Sequence, residues 1–171
     1  MFSHIDKDKI VSPLGETQRK KPLIELSREE VYSQKHLVFG KLSFTDKLAF
    51  SAAAIAIENA KIENPEECGI LINTNIGSYF RDCEFMQSIR DENPSPALFS
   101  ATLPSSPIAE IAITFGLKGP DKVIFCDYEL AKKTANLMLA ECNELLFVSI
   151  NISENNIEDS FTDAQLLKFR N

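Results

Sequence analysis

Four cysteines and two histidines are the side chains of this 171-residue chain best suited to chemistry near neutral pH. Cys68, Cys83, Cys126 and Cys142 are scattered without a Cys-x-x-Cys pair, and neither His4 nor His36 completes a metal-ligand spacing with them. Structural zinc needs closely spaced ligand pairs, so no metal and no cofactor is expected. Reduced, mostly buried thiols are the simpler reading. His36 is taken as the only histidine inside the folded region, and a lone histidine of that kind serves packing or surface more often than catalysis. No Ser-His-Asp arrangement can be assembled. Glu66-Glu67 and Asp91-Glu92 read as solvated turns rather than acid–base pairs.

Composition narrows the classes further. The chain is 44% hydrophobic and 25% charged, enough for one globular domain with a real core. Its net charge of -7 argues against nucleic acid as a partner, because phosphate binding needs a basic surface. The one basic run, Arg19-Lys20-Lys21, reads as a solvated loop face. No apolar stretch reaches the length of a membrane span. The N-terminal residues lack the basic start and apolar segment of a secretory signal, so a cytoplasmic protein is expected.

The elements that must position these residues alternate between strand and helix signals. The segment up to about Lys21 reads as an edge strand and loop. Ser27-Arg28-Glu29-Glu30 is a capping box, with Leu26 and Val31 placed as its hydrophobic staple. Ser43 and Asp46 form a second box ahead of an alanine-rich helix on which Phe44, Leu48, Ala52, Ile55 and Ala56 recur at helical spacing. Cys68-Gly69-Ile70-Leu71-Ile72 predicts a buried strand, Phe80 to Ile89 a helix, and Asn93-Pro94-Ser95-Pro96 an extended or turned piece. Pro107 opens a helix that Gly116 ends. Val123 to Phe125 predicts a strand, and Asp127 caps a helix from Tyr128 to about Glu141 with Leu130, Thr134, Leu137 and Met138 as its buried stripe. Leu145 to Ile150 predicts a strand. Residues 153–171 read as a polar tail with a half-ordered turn near its end. The sum is an α/β layered domain with largely parallel interior strands.

One stretch carries a resemblance. Thr102-Leu103-Pro104, followed by Ile108-Ala109-Glu110-Ile111-Ala112-Ile113-Thr114-Phe115-Gly116-Leu117-Lys118-Gly119-Pro120, is similar to a β-ketoacyl synthase signature. Val11-Ser12-Pro13-Leu14-Gly15 resembles the loop after that family's first strand, and Ile70 to Gly77 resembles its next strand and glycine loop. Asn93 to Phe99 also looks like small stand-alone ketosynthase-like proteins of bacterial lipid or aryl-polyene gene sets. The resemblance covers about residues 11–152 of a single domain spanning 1–171. It implies half of a thiolase-like fold: a mixed, mainly parallel sheet flanked by helices.

The same resemblance implies a nucleophilic cysteine at the start of the helix after Gly119-Pro120. Counting without gaps puts Tyr128 at that position. A tyrosine is a poor nucleophile at neutral pH, and the family's catalytic histidines belong to a second half that this chain is not expected to contain. Cys126, two residues earlier, is the alternative nucleophile. Its surroundings, Phe125-Cys126-Asp127-Tyr128, lack the family's small residues, and Asp127 disfavours a thiolate. The expectation is a non-catalytic partner or accessory subunit in fatty-acid or polyketide-type acyl assembly, as a homodimer or paired with a ketosynthase. An acyl carrier protein is a possible further partner, near Arg19-Lys20-Lys21 or Lys132-Lys133. The alternative is an acyltransferase or condensing enzyme acting on carrier-protein thioesters through Cys126 or with a second subunit.

Overall fold

A computed structural model describes residues 2–36, 38–60 and 62–169. Met1, Leu37, Lys61, Arg170 and Asn171, the ends of the expected domain among them, lie outside the described residues. Among the described residues seven strands form one sheet: β1 (Phe2–Ile5), β2 (Lys9–Ser12), β3 (Gly15–Gln18), β4 (Gly69–Thr74), β5 (Asp121–Ile124), β6 (Glu144–Asn151) and β7 (Phe161–Lys168). Six α-helices among the same residues accompany them: α1 (Arg28–Val31), α2 (Phe44–Glu58), α3 (Tyr79–Arg90), α4 (Pro96–Ser100), α5 (Ser106–Phe115) and α6 (Tyr128–Met138).

The strand order is β3-β2-β1-β7-β6-β4-β5. Only β4–β5 and β4–β6 pair in parallel, while β1–β2, β2–β3, β1–β7 and β6–β7 are antiparallel. The sheet is therefore mostly antiparallel, not mainly parallel as expected. The physical reason is β7, which lies in the stretch read as a polar tail. It inserts between β1 and β6 and runs against both, so these two like-directed strands never touch. The first segment is likewise more than one edge strand: it makes a three-strand meander whose outermost member, β3, is exposed along its length.

The helix α2 forms because Ser43 and Asp46 close both halves of a capping box. The Asp46 amide donates to Ser43 Oγ at 3.1 Å, and the Ser43 amide to Asp46 Oδ2 at 3.3 Å. Its alanines at 49, 52, 53, 54 and 56 are fully buried, small enough to let the sheet approach closely. Ser3 on β1 donates to the Ala52 carbonyl at 2.8 Å, pinning the first strand to this helix. The capping box at α1 works differently. Glu30 accepts from both the Ser27 amide and the Ser27 hydroxyl, so the serine donates rather than accepts.

Period-two alternation assigns the two faces of the sheet. Ile70 and Ile72 of β4, Leu146, Val148 and Ile150 of β6, and Ala164 and Leu166 of β7 join the core under α2 and α5. Leu71, Leu145 and Phe147 point the other way, into a smaller cluster with Ala131, Ala135 and Met138 of α6. The expected α6 stripe is thus corrected in part. Met138 is buried as expected and Thr134 half-buried, but Leu130 is 49% and Leu137 74% exposed, and Ala131 and Ala135 face the sheet instead. The helix also stops at Met138, short of Glu141.

Candidate functional site

The turn from β5 into α6 is the position where sequence reasoning looked for chemistry. Asp127 caps the helix, its Oδ1 accepting from the Leu130 amide at 2.9 Å. Tyr128 is the first helical residue, with its ring tilted against Phe147 at 5.9 Å and Lys132 Nζ 5.3 Å from its centroid. Burial, and then the Asp163 charge, push the Tyr128 phenol above its usual value, so it stays protonated at neutral pH.

Cys126 sits before the cap, in the turn two residues past the end of β5 rather than on the helix. Its backbone is held from both sides by one side chain. The Cys126 amide donates to Asn73 Oδ1 at 3.2 Å, and Asn73 Nδ2 donates to the Cys126 carbonyl at 3.1 Å. Burial first, and the Asp127 charge second, raise the thiol's pKa, the opposite of what a nucleophile needs. Phe125 lays its ring over Gly77, where a Cβ would stand 2.9 Å from the ring edge.

Asn75 repeats the device on the other side. Its Nδ2 donates to the Ile152 carbonyl at 2.8 Å, and its Oδ1 accepts from the Ile152 amide at 2.9 Å. The end of β4 thereby clamps the turn after β5 and the loop after β6. A cavity of about 310 Å³ opens between these clamps, lined by Asn73, Cys126, Tyr128, Ser149, Phe161 and Asp163 among others.

A second group of residues lies beside it, unseen in the sequence. His4 is not outside the fold: it stands in β1, directly opposite Asp163 of β7. Its Nδ1 lies 2.7 Å from Asp163 Oδ1 and its Nε2 2.9 Å from Asp6 Oδ2. Burial opposes the charged ring, but hydrogen bonds and charge from Asp163 and Asp6 outweigh it and raise its pKa. Phe2 and Phe161 flank the ring at 6.5 and 6.0 Å. Only the positions of His4 and Asp163, at opposite ends of the chain, could have hinted at this pairing.

The remaining candidates serve structure. His36 packs 4.4 Å from Phe50 and 3.7 Å from Glu110 Oε2, a packing histidine. Cys68 is fully buried, its thiol pushed up to about 12 by burial and the Glu144 charge. Glu66 pairs with Lys118 at 2.6 Å in solvent, and Asp91 accepts from Gln87. Among the described residues no cluster of three His, Cys, Asp or Glu is arranged to hold a metal, and no helix is long and apolar enough to cross a membrane. Lys20 and Lys21 are exposed as expected, but the Arg19 side chain is only 1% exposed, not a solvated loop residue.

No protein-family model matches this sequence, and no curated protein resembles it. Solved structures do match its fold. A complex of a ketosynthase (ApeO) with its chain length factor (ApeC) from Xenorhabdus doucetiae aligns with a TM-score of 0.65 at 15% identity, covering 97% of this chain and 67% of that one. The ishigamide ketosynthase/chain length factor aligns with a TM-score of 0.67 at 14% identity, over 85% of this chain and 48% of the other. A β-ketoacyl synthase from Burkholderia phymatum STM815 aligns at 0.60 and 9% identity, over 99% and 60%. The chain spans between about half and two thirds of the length of these solved chains. Its α/β architecture is that of half a thiolase-like, ketosynthase-type fold.

Proposed function

We propose that the chain is a non-catalytic partner of a ketosynthase in fatty-acid or polyketide-type acyl assembly. The observation that carries this reading is the open face of the sheet. On that face α6 packs over β4 and β6, while Phe2 at 42% and Phe161 at 37% exposed stand beside it over β1 and β7. Leu130 and Leu137 of α6, on the same side of the sheet, are 49% and 74% exposed. Large apolar side chains left exposed in this number favour burial in an assembly. Two of the matched structures are ketosynthases with chain length factors, which favours a ketosynthase-type occupant over an unrelated one.

The chemistry of the α6 turn supports the non-catalytic side of the proposal. A protonated phenol occupies the first helical position, and the nearby Cys126 thiol is held as a thiol. Acyl transfer through Cys126 would require a thiolate there.

Co-expression with a ketosynthase from the same cell, followed by mass measurement of the purified species, tests the proposal. A stoichiometric complex is expected, with Leu137→Glu abolishing it. Two proteins that elute separately would sink the pairing. An acyl adduct trapped on Cys126 or Tyr128 would sink the non-catalytic reading instead.

A further inference from the structure

We infer that the cavity where β3 runs into the chain's first 3-10 turn binds a small oxyanion, a phosphate or phosphate monoester. The cavity measures about 240 Å³ and is lined by Thr17, Gln18, Arg19, Lys20, Lys21 and Glu30, together with Ile10. It lies at the β3 end of the sheet, far in strand order from β5 and the α6 turn, so it stands independently of the proposed pairing.

Arg19 is the centre of the argument. Its Nη1 donates to Glu30 Oε1 at 3.1 Å, and its Nη2 to the Lys21 and Pro22 carbonyls at 3.4 and 3.1 Å. These bonds fix the guanidinium plane. Its Nε, buried in a side chain only 1% exposed, has no partner. Buried donors are nearly always met, and an unmet one marks a place where an acceptor belongs.

Charge points to the kind of acceptor. Lys20 and Lys21 line the same cavity; among the described residues neither ammonium is within ion-pair distance of a carboxylate, and Lys21 acts on Glu29 only at longer range. Glu30 is the single acid in the lining, and both its oxygens are engaged, Oε1 by Arg19 and Oε2 by the Ser27 amide and hydroxyl. With the Arg19 charge offset by Glu30, the two lysines leave the lining net positive in a protein whose net charge is -7. A multidentate oxyanion satisfies the Arg19 Nε and both lysines together, and charge-assisted bonds of this type are the strong ones. The Thr17 hydroxyl can add a further donor.

The test uses the whole chain at low ionic strength, with backbone amide shifts followed while inorganic phosphate is added. Parallel arms contain sulfate, glycerol phosphate, or sodium chloride at matched ionic strength. Saturable shifts confined to Thr17 through Lys21 are expected with phosphate or glycerol phosphate, and whichever of the two binds more tightly identifies the natural source. Arg19→Gln would also release two backbone carbonyls and risks misfolding, so the deciding variant is Lys20→Ala/Lys21→Ala. It should keep the spectrum of the folded chain and bind about tenfold more weakly or worse. Equal binding by that variant, shifts matched by chloride, or no saturation would each overturn the site.

Discussion

The two faces of the sheet are built to different standards. Under α2 and α5 the core is closed: Leu48, Phe50, Ile72, Leu146 and Val148 are fully buried, and Phe50 sits among Tyr32, His36, Phe39 and Phe115 at ring separations of 4.4 to 5.9 Å. On the α6 side Ala131, Ala135 and Met138 meet the sheet, while Leu130 and Leu137 look outward. Stability resides on the first face; the second leaves large apolar side chains exposed.

The contrast can be broken most forcefully at Phe50. Phe50→Ala on the closed face should cost about 3–5 kcal/mol, since the surrounding rings collapse only in part. Urea unfolding measures it, and a loss below about 1 kcal/mol would mean the closed face is not the stabilising one. A smaller effect is expected at the rim of the open face. Asn73→Ala strips partners from the Cys126 amide and carbonyl and should cost about 1–3 kcal/mol. Faster labelling of Cys126 by a thiol reagent should accompany it, and unchanged labelling would show that Asn73 does not hold that turn.

The His4 clamp sharpens the comparison by pH. The folded pKa of His4 lies above its ordinary 6.5, so its stabilisation is complete below about pH 6.5 and is lost as pH rises through the folded value. Unfolding midpoints should therefore contain a downward contribution across that window, and His4→Gln should remove it. A wild-type profile superimposable on that of the variant would contradict the clamp. Smallest of all, Leu137→Glu should change the stability of the isolated chain by within about 0.5 kcal/mol. If it destabilises the chain strongly, Leu137 is core and the open face is misread.

Local signals were legible where one short stretch decides the outcome. The capping box at Ser43, the proline opening α5 and the left-handed Gly116 closing it, at φ 69, all follow from neighbouring residues. So does the placing of Tyr128 at the head of α6. What escaped depends on distant partners. β7 alternates Thr162, Ala164 and Leu166 inward with Phe161, Asp163, Gln165 and Leu167 on the other side, and only Leu166 is a large residue at a fully buried position. Its sequence looks polar because β1 and β6 supply the apolar company. On α6 the large leucines suggested the buried stripe, but close approach to the sheet favoured alanine. The His4–Asp163 pair, 159 residues apart, carries no local mark at all.

The central place of β7 has a consequence for how the molecule assembles. The longest pairing of β1 is with a strand about 160 residues further along the sequence. Until that strand docks, the meander of β1, β2 and β3 has nothing to join it edgewise to β6. Closing a loop of such length is entropically slow, so this junction should form late in folding. The edge of β1 left unpaired in the meantime is the point at which partly folded copies would stick to one another.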